Sequence, residues 1–366
     1  LGHVSLVKLD ERGLPISEID PLGGITVYEY DDAGRTTAVV DQDGHRTEYA
    51  FDERGNLLKT TRPDGRTIET AFSSANKALT ITDPNGASWQ QRWDARGLLR
   101  EIVTRTGHLY RYDYDGRGQL TAFTDPRGSR TTLTYDVAGN LVALTDALGH
   151  STSFSYDARG QVTRKRDPLG SETAYRYDAV GRLVEGRMPS GARIACAYDA
   201  EGNLTRYLDA NGAETRLGYF GVGQIARRIL PDGHQIAYQY DTEERLVAVV
   251  NQRGEAYRMR RDALGRVVAE EDYWGQVREY RLSRCGYLLE TTDPLGTIVT
   301  FRNDTLGQVL EKVTSNPGQP GMKQTETFEY DANGNLIACA NAAVRIDRRF
   351  DADGRLVEEK QGDACT

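Results

Sequence analysis

One pattern restricts what this chain can fold into more than any other, because a turn signature returns every 21 residues along nearly its whole length. In most units an aromatic residue is followed by Asp, with Gly four residues past it, as in Tyr135, Asp136 and Gly139, and we call the first of these positions the anchor. The anchor is aromatic in 13 of 17 units, which predicts an aromatic ladder along a tandem repeat. The anchors of units 1 to 17 are Leu9, Tyr30, Phe51, Phe72, Trp93, Tyr114, Tyr135, Tyr156, Tyr177, Tyr198, Tyr219, Tyr240, Arg261, Leu282, Asn303, Tyr330 and Phe350.

Each unit has the sequence of two tight turns separated by two strands. Asp136 is able to form an Asx-turn three residues before Gly139, which accepts positive φ. A second Gly, 14 residues past the anchor, occurs in every unit from Leu9 to Leu282, and Asp146 and Gly149 form the second turn of this unit. The returning strand alternates apolar and polar residues, which is typical of a sheet with two unlike faces. No capped apolar stripe of helical period fits between the turns, so the sequence predicts an all-β fold.

Repetition also decides how the aspartates and glycines are interpreted. The stretch 135–155, taken alone, has the residue types of an active-site loop, but its relatives along the chain carry the same residues. A catalytic pair is unique, whereas a turn former recurs. We therefore assign a structural role, in turns or in the aromatic ladder, to the following residues: Tyr114, Asp115, Gly118, Gly128, Tyr135, Asp136, Gly139, Gly149, Tyr156, Asp157, Gly160, Gly170, Tyr177, Asp178 and Gly181.

Composition limits the partners of the chain. A net charge of −8 provides no general basic field for a phosphate backbone, which argues against nucleic acid. No apolar run approaches the ~20 residues that a spanning helix needs. The four cysteines, Cys196, Cys285, Cys339 and Cys365, are irregularly spaced and contain no CxxC, so reduced thiols are favoured over a disulfide or zinc framework.

The regular period ends near residue 313. We expect one domain over 1–366, with regular units over 9–313, an inserted Pro/Gly-rich loop over 314–324 and irregular units over 325–366. The six extra residues are interpreted as a tolerated insertion in a hairpin, with a partner contact as the alternative. Because the chain starts at Leu1 within the pattern, it is expected to be a piece of a longer protein.

The sequence offers three kinds of candidate site: a metal site, an enzyme active site and a carbohydrate-binding surface. His45, His108, His150 and His234 each follow a second-turn Gly, but they lie two to four units apart, so a strand-initiating role is favoured over a metal ladder. No Gly-x-Ser-x-Gly elbow, phosphate loop or metal spacing is present, and we predict no enzymatic activity, no cofactor and no metal. A carbohydrate-binding surface on the tyrosine ladder stays open as an alternative.

The unit signature Tyr-Asp-x-x-Gly followed by Asp-Pro-x-Gly, as at Asp20, Asp83, Asp125, Asp167 and Asp293, resembles the YD repeats of the rearrangement hotspot (Rhs) family. The resemblance covers Leu9 to about Leu356. It implies a long antiparallel sheet that spirals into a hollow cocoon, as in bacterial polymorphic toxins, insecticidal toxin complexes and teneurins. In the bacterial members the cocoon encloses a C-terminal toxin that is often released by autoproteolysis.

The sequence departs from the family at its end, where residues 361–366 show no plug region or cleavage aspartates. The Asp-Pro-Leu-Gly segments that begin at Asp20, Asp167 and Asp293 could be mistaken for a cleavage motif, but each is the ordinary second turn of its unit. No catalytic residue of the family therefore has a counterpart here. The resemblance implies a shell segment of a bacterial toxin, made in the cytoplasm and delivered to a target cell, with type VI secretion as the expected route. Its implied partners are the remaining shell segments, the enclosed toxin, and a secretion spike or chaperone. The alternative is a secreted or surface module that binds carbohydrate or protein.

Overall fold

A computed structural model of the chain describes residues 4–319 and 321–363, and all of its regular structure is β-strand. The fold is confirmed as all-β, with 34 antiparallel strands in one unclosed sheet. Strands β1 to β17 are Leu6–Leu9, Pro15–Ile19, Ile25–Tyr30, Thr36–Val40, Arg46–Phe51, Leu57–Thr61, Thr67–Phe72, Ala78–Thr82, Ser88–Trp93, Leu99–Val103, Leu109–Tyr114, Leu120–Thr124, Arg130–Tyr135, Leu141–Thr145, Ser151–Tyr156, Val162–Arg166 and Glu172–Tyr177. Strands β18 to β34 are Leu183–Arg187, Arg193–Tyr198, Leu204–Leu208, Glu214–Phe220, Gln224–Ile229, Gln235–Tyr240, Leu246–Val250, Ala256–Arg261, Val267–Glu271, Val277–Leu282, Leu288–Thr292, Ile298–Asn303, Val309–Ser315, Lys323–Tyr330, Leu336–Ala340, Val344–Phe350 and Leu356–Asp363.

Two compact parts are distinguished among the described residues. The first contains the residues up to Gly97, Ile102–His108 and the residues from Met259 onward. The second contains Leu98–Glu101 and Leu109–Arg258.

Both turns of a unit have the same backbone geometry. In the first turn the N–H of Gly139 donates to the carbonyl of Asp136 (3.1 Å), and the N–H of Asp136 donates to the carbonyl of Asn140 (2.9 Å). Gly139 has φ 93°, and the register between β13 and β14 shifts at Tyr135. This is a three-residue hairpin loop with a bulge at the left-handed Gly. The second turn repeats both hydrogen bonds at Asp146, with Gly149 at φ 86°.

The sheet is a single layer with little core. The chain exposes 22171 Å², whereas a compact monomer of its mass would expose about 15,000 Å². Among the described residues the buried hydrophobic side chains are alanines eight residues past an anchor: Ala38, Ala122, Ala248, Ala269 and Ala338. Hydrogen-bonded ladders and cross-strand side-chain pairs therefore contribute more to this fold than a closed core does.

The two sides of the sheet differ in chemistry. In β17, Thr173, Tyr175 and Tyr177 lie on one side, which we call the aromatic face. Glu172 and Arg176 lie on the other side, which we call the polar face. The aromatic face contains ring pairs such as Tyr112 and Phe123, whose centroids are 5.6 Å apart.

The six extra residues lengthen one hairpin. Strands β30 and β31 have 7 and 8 residues, and Ser315 pairs with Lys323. The connecting loop therefore comprises 316–322, narrower than the expected 314–324, because main-chain pairing continues into both sides of the insertion. Pro320 lies outside the described residues, as does Cys365, while Cys196, Cys285 and Cys339 are free thiols.

Candidate functional site

The anchor side chain makes a recurring hydrogen bond to the preceding unit. The hydroxyl of Tyr135 donates to the carbonyl of Leu120 (2.9 Å), and that of Tyr156 donates to the carbonyl of Leu141 (2.6 Å). Two replacements of Tyr keep a donor: Trp93 Nε1 donates to the carbonyl of Ala78 (2.7 Å), and the side-chain amide of Asn303 donates to that of Leu288 (3.0 Å). The anchors with this bond are Tyr30, Trp93, Tyr135, Tyr156, Tyr177, Tyr198, Tyr219, Tyr240, Asn303 and Tyr330.

The ladder geometry explains why that carbonyl needs a donor. Strands β12 and β13 pair only from Thr124↔Arg130 to Ala122↔Thr132, so the ladder ends two residues short of Leu120. The Tyr135 hydroxyl fills the gap that this divergence leaves, because a carbonyl without a ladder partner is costly when shielded from water. Tyr114 occupies the equivalent place at the end of β11.

The turn aspartates act as main-chain acceptors. Asp136 Oδ1 accepts from the N–H groups of Ala138 and Asn140, each at 2.9 Å. The side-chain amide of Asn140, followed by its main-chain N–H, lowers the pKa of Asp136. Asp115, Asp157 and Asp178 make the same pair of bonds, and the residues with positive φ in the neighbouring turns are Gly118, Gly128, Gly160, Gly170 and Gly181.

Three of the histidines, His45, His150 and His234, contact an aspartate of their own turn, and His108 Nδ1 lies 3.8 Å from Asp353 in unit 17. His150 Nδ1 lies 3.0 Å from Asp146, and His45 Nδ1 lies 3.2 Å from Asp41. In residues 4–319 and 321–363 no group of three or more His, Cys, Asp or Glu is placed to hold a metal ion. In the same residues no helix has the length and apolarity to cross a membrane.

In the first compact part, second turns of early units contact first turns of late units. Asp43 in unit 2 accepts from the N–H groups of Arg284 (3.2 Å) and Cys285 (3.1 Å) in unit 14. Asn85 in unit 4 donates to Asp331 in unit 16 (3.1 Å). Thr104 in unit 5 donates to Asp353 in unit 17 (3.0 Å). Each contact spans twelve units, and we call this line of contacts the seam.

A buried carboxylate lies at the centre of the seam. Asp83 is 5% exposed and accepts from the side-chain amide of Asn333 (2.8 Å). Arg105 Nε lies 2.9 Å from Asp83, and the Arg105 guanidinium stacks 4.4 Å from the ring centroid of Trp89. Arg105 lies on the same side of the seam as Asp83, so a shifted alignment would leave this ion pair in place but remove the Asn333 hydrogen bond from a buried carboxylate, which favours one alignment.

The polar face carries cross-strand ion pairs that we did not predict from the sequence. Arg281 and Glu290 are 3.0 Å apart. Arg281 lies one residue before the anchor Leu282, and Glu290 lies eight residues past that anchor. Arg302 and Glu311 repeat this pair at 3.1 Å. The signal in the sequence is Arg followed nine residues later by Glu, because the hairpin places these two positions side by side on one face.

A shallow groove of about 430 Å³ opens on the second compact part beside two tyrosines. Its lining includes Asp157, Arg159, Gln161, Tyr175 and Tyr177. The groove therefore combines aromatic rings with hydrogen-bonding groups in one open surface.

Comparisons with known proteins identify the family. The sequence model of the teneurin YD-shell matches residues 78–298, and that of the RHS repeat matches residues 10–41 and 30–67. No curated protein sequence matches the chain.

Solved structures share the fold at low sequence identity. The TcdB2-TccC3-Cdc42 crystal structure aligns over 97% of this chain with a TM-score of 0.79 and 15% identity. TcdB2-TccC3 without its hypervariable C-terminal region aligns over 97% of this chain, with a TM-score of 0.79 and 16% identity. The Photorhabdus luminescens Tc holotoxin pore aligns over 98% of this chain, with a TM-score of 0.76 and 14% identity. The chain spans about a quarter of these chains, 23% to 25% of their length. The family match covers more than half of the chain, and this protein belongs to the teneurin YD-shell family.

Proposed function

We propose that this chain is a non-enzymatic wall segment of a bacterial toxin shell, which encloses a C-terminal effector until delivery. The observation that carries the proposal is the seam, where second turns of units 2, 4 and 5 contact first turns of units 14, 16 and 17. In a sheet that spirals into a wall, the row of second turns along one edge has to contact the row of first turns along the other edge. A single layer with two exposed faces also fits a wall better than a self-contained globular domain.

A role in a toxin shell also implies that the protein is delivered to a target cell. The protein would be made in the bacterial cytoplasm and carried to a target cell by a secretion apparatus, with type VI secretion as the proposed route. Its partners would be further shell segments, the enclosed toxin and a secretion spike or chaperone. The absence of a general basic field fits a wall that holds protein rather than nucleic acid.

Protease protection of a cargo tests the shell role. A protease-sensitive reporter is fused after the chain, and its digestion is compared with that of the free reporter. We expect slower digestion in the fusion and faster digestion after Asn85→Ala, which removes the seam bonds to Asp331 and Ala332. Asn211→Ala is the matched control, since Asn211 holds the same position in unit 10. Equal digestion of fused and free reporter would overturn the proposal.

A second candidate function is carbohydrate binding in the groove beside Tyr175 and Tyr177. Aromatic rings with nearby polar groups suit the apolar and hydroxyl-bearing sides of a sugar. Titration with a panel of oligosaccharides tests it. Saturable binding that Tyr175→Ala abolishes would favour this function, and binding unchanged by that substitution would exclude the groove.

A further inference from the structure

The polar face has an excess of positive charge between β16 and β22, in the second compact part. The positions from Arg164 to Arg227 that share this face contain eight arginines and three glutamates, whereas the chain as a whole carries −8. We call this stretch the arginine patch. On other strands of the same face Arg281 and Arg302 each have a glutamate partner, and Arg46 has two.

Within the arginine patch, like charges face each other across the strands. Arg187 pairs directly with Arg193 in the register of β18 and β19. Glu185 lies between them, 2.7 Å from Arg187 and 3.2 Å from Arg193, and it also contacts Arg176 at 2.8 Å. Hydrogen bonds from Arg176 and Arg187 lower the pKa of Glu185 to about 2. One carboxylate therefore neutralises only part of the charge of three arginines.

The same arrangement recurs two strands further on. Arg206 pairs directly with Arg216 in the register of β20 and β21. Glu214 contacts both arginines, each at 2.6 Å. Opposed like charges lower the stability of a sheet, so fold stability does not account for two such pairs.

Two further arginines of the arginine patch lack a carboxylate partner. Among the described residues no carboxylate ion pair is formed by Arg166 or Arg227. Arg227 lies over Gly218, where an added Cβ would be 2.8 Å from its Nε. Small residues such as Gly218 and Ala174 leave the guanidinium groups free to meet a ligand from solvent.

We propose that the arginine patch binds an acidic segment of a polypeptide. Guanidinium groups bind carboxylates through paired hydrogen bonds, and the side chains of Arg187 and Arg216 are 74% and 66% exposed. This binding requires only the exposed face and is independent of the shell role.

The composition of the arginine patch favours polypeptide over nucleic acid. A phosphodiester backbone carries a charge at every residue, and laid along this patch it would meet the carboxylates of Glu172 and Glu214, whereas Glu185 is buried beneath its arginines. In the described strands β16 to β20 no aromatic ring lies on this face to stack a base, since Tyr175 and Tyr207 lie on the aromatic face.

Fluorescence anisotropy tests the proposal with the 366-residue chain and a labelled peptide of alternating Glu and Gly. We expect saturable binding at low ionic strength that weakens as salt is added. The triple variant Arg166→Gln, Arg216→Gln, Arg227→Gln should weaken it about tenfold or more. The matched control is Arg281→Gln, Arg302→Gln, Arg349→Gln, which changes the net charge equally on the same face, and its affinity should match that of the parent chain.

Several outcomes would overturn the proposal. These are absence of peptide binding at low salt, equal weakening by the two triple variants, or tighter binding of a single-stranded oligonucleotide of equal charge. Hydrogen–deuterium exchange of β16 to β22 in each variant establishes that the strands remain paired.

Discussion

The hydroxyl of Tyr177 donates a 2.9 Å hydrogen bond to the main-chain carbonyl of Val162, fifteen residues earlier in the chain. Tyr175, two residues before it on the same face of β17, makes no such bond among the described residues. The pair separates two roles of tyrosine in this sheet. One ring completes the main-chain hydrogen bonding between units, and the other contributes only aromatic surface.

Tyr177→Phe should therefore destabilise its unit more than Tyr175→Phe does. The first substitution removes a hydrogen bond worth about 0.5 to 1.5 kcal/mol, while the second leaves every main-chain partner in place. Because a long repeat does not unfold in one step, the measurement is the local opening free energy of β16 and β17 by hydrogen exchange. Equal effects of the two substitutions would show that the hydroxyl bond contributes nothing.

Glu244 holds the first-turn position that is Gly in most units, and its φ is 62°. A non-Gly residue in this left-handed region costs roughly 1 to 2 kcal/mol, so Glu244→Gly should stabilise the turn by about 1 kcal/mol. Asn76, at φ 57° in the same position of unit 4, is the internal control. Asn76→Gly should stabilise less, because Asn tolerates this conformation. Local hydrogen exchange at both turns measures the difference, and a larger gain at Asn76 would contradict the argument.

Substitution of Gly149 tests the reverse change, from Gly to a residue that carries a Cβ. Its φ is 86°, and a Cβ added there would meet no atom within 4 Å, so substitution tests the backbone alone. Gly149→Val should cost about 1 to 3 kcal/mol, and Gly149→Asn should cost less. Hydrogen exchange of β14 and β15 provides the measurement. A neutral Gly149→Val would mean that the turn adopts another conformation in solution.

The repeating unit was predictable because its turn chemistry is local. Asp136 and Gly139 determine a turn within five residues, and 17 copies of the signature reveal the strands between them. The tyrosine hydroxyl bond left a readable trace, since Trp93 and Asn303 replace Tyr while keeping a donor. The pairing of Arg281 with Glu290 was readable as a nine-residue spacing.

The seam was not predictable for a physical reason. Identical periods give every unit the same edges, so the sequence does not indicate that unit 2 meets unit 14 rather than unit 13 or 15. That offset depends on the twist and curvature accumulated over twelve hairpins, which no single turn determines. Asp43 and Asp232 hold the same position in their units, yet only Asp43 has distant partners among the described residues.

The turn aspartates should make stability depend on pH. The pKa of Asp136 is lowered by Asn140, and that of Asp146 by the main-chain N–H of His150. A lowered folded-state pKa contributes stability above the unfolded value, near ~4, and that contribution is lost as pH falls through the folded value. The local opening free energy of β13 to β15, measured by hydrogen exchange, should therefore fall between about pH 5 and pH 3.

A single substitution isolates this effect. Asn251 already makes the same two turn bonds with its amide oxygen, at 2.9 and 3.1 Å, so Asp136→Asn should keep the turn and lose its titration. The difference between parent and variant should shrink below about pH 4. Local opening free energies of β13 to β15 that stay constant from pH 5 to pH 3 in the parent chain would contradict the assignment.

The seam should control the reactivity of Cys285. Burial, with the nearby Asp41 and Asp43 carboxylates, raises the pKa of this thiol to about 12, so its thiolate is scarce at pH 8. Asp43→Ala removes a carboxylate and two seam hydrogen bonds, and it should increase the rate of Cys285 alkylation. Asp232→Ala, at the same position of a unit outside the described seam, should leave the rate unchanged. Mass spectrometry distinguishes Cys285 from the other cysteines, and equal rates in both variants would mean that the seam contact does not form in solution.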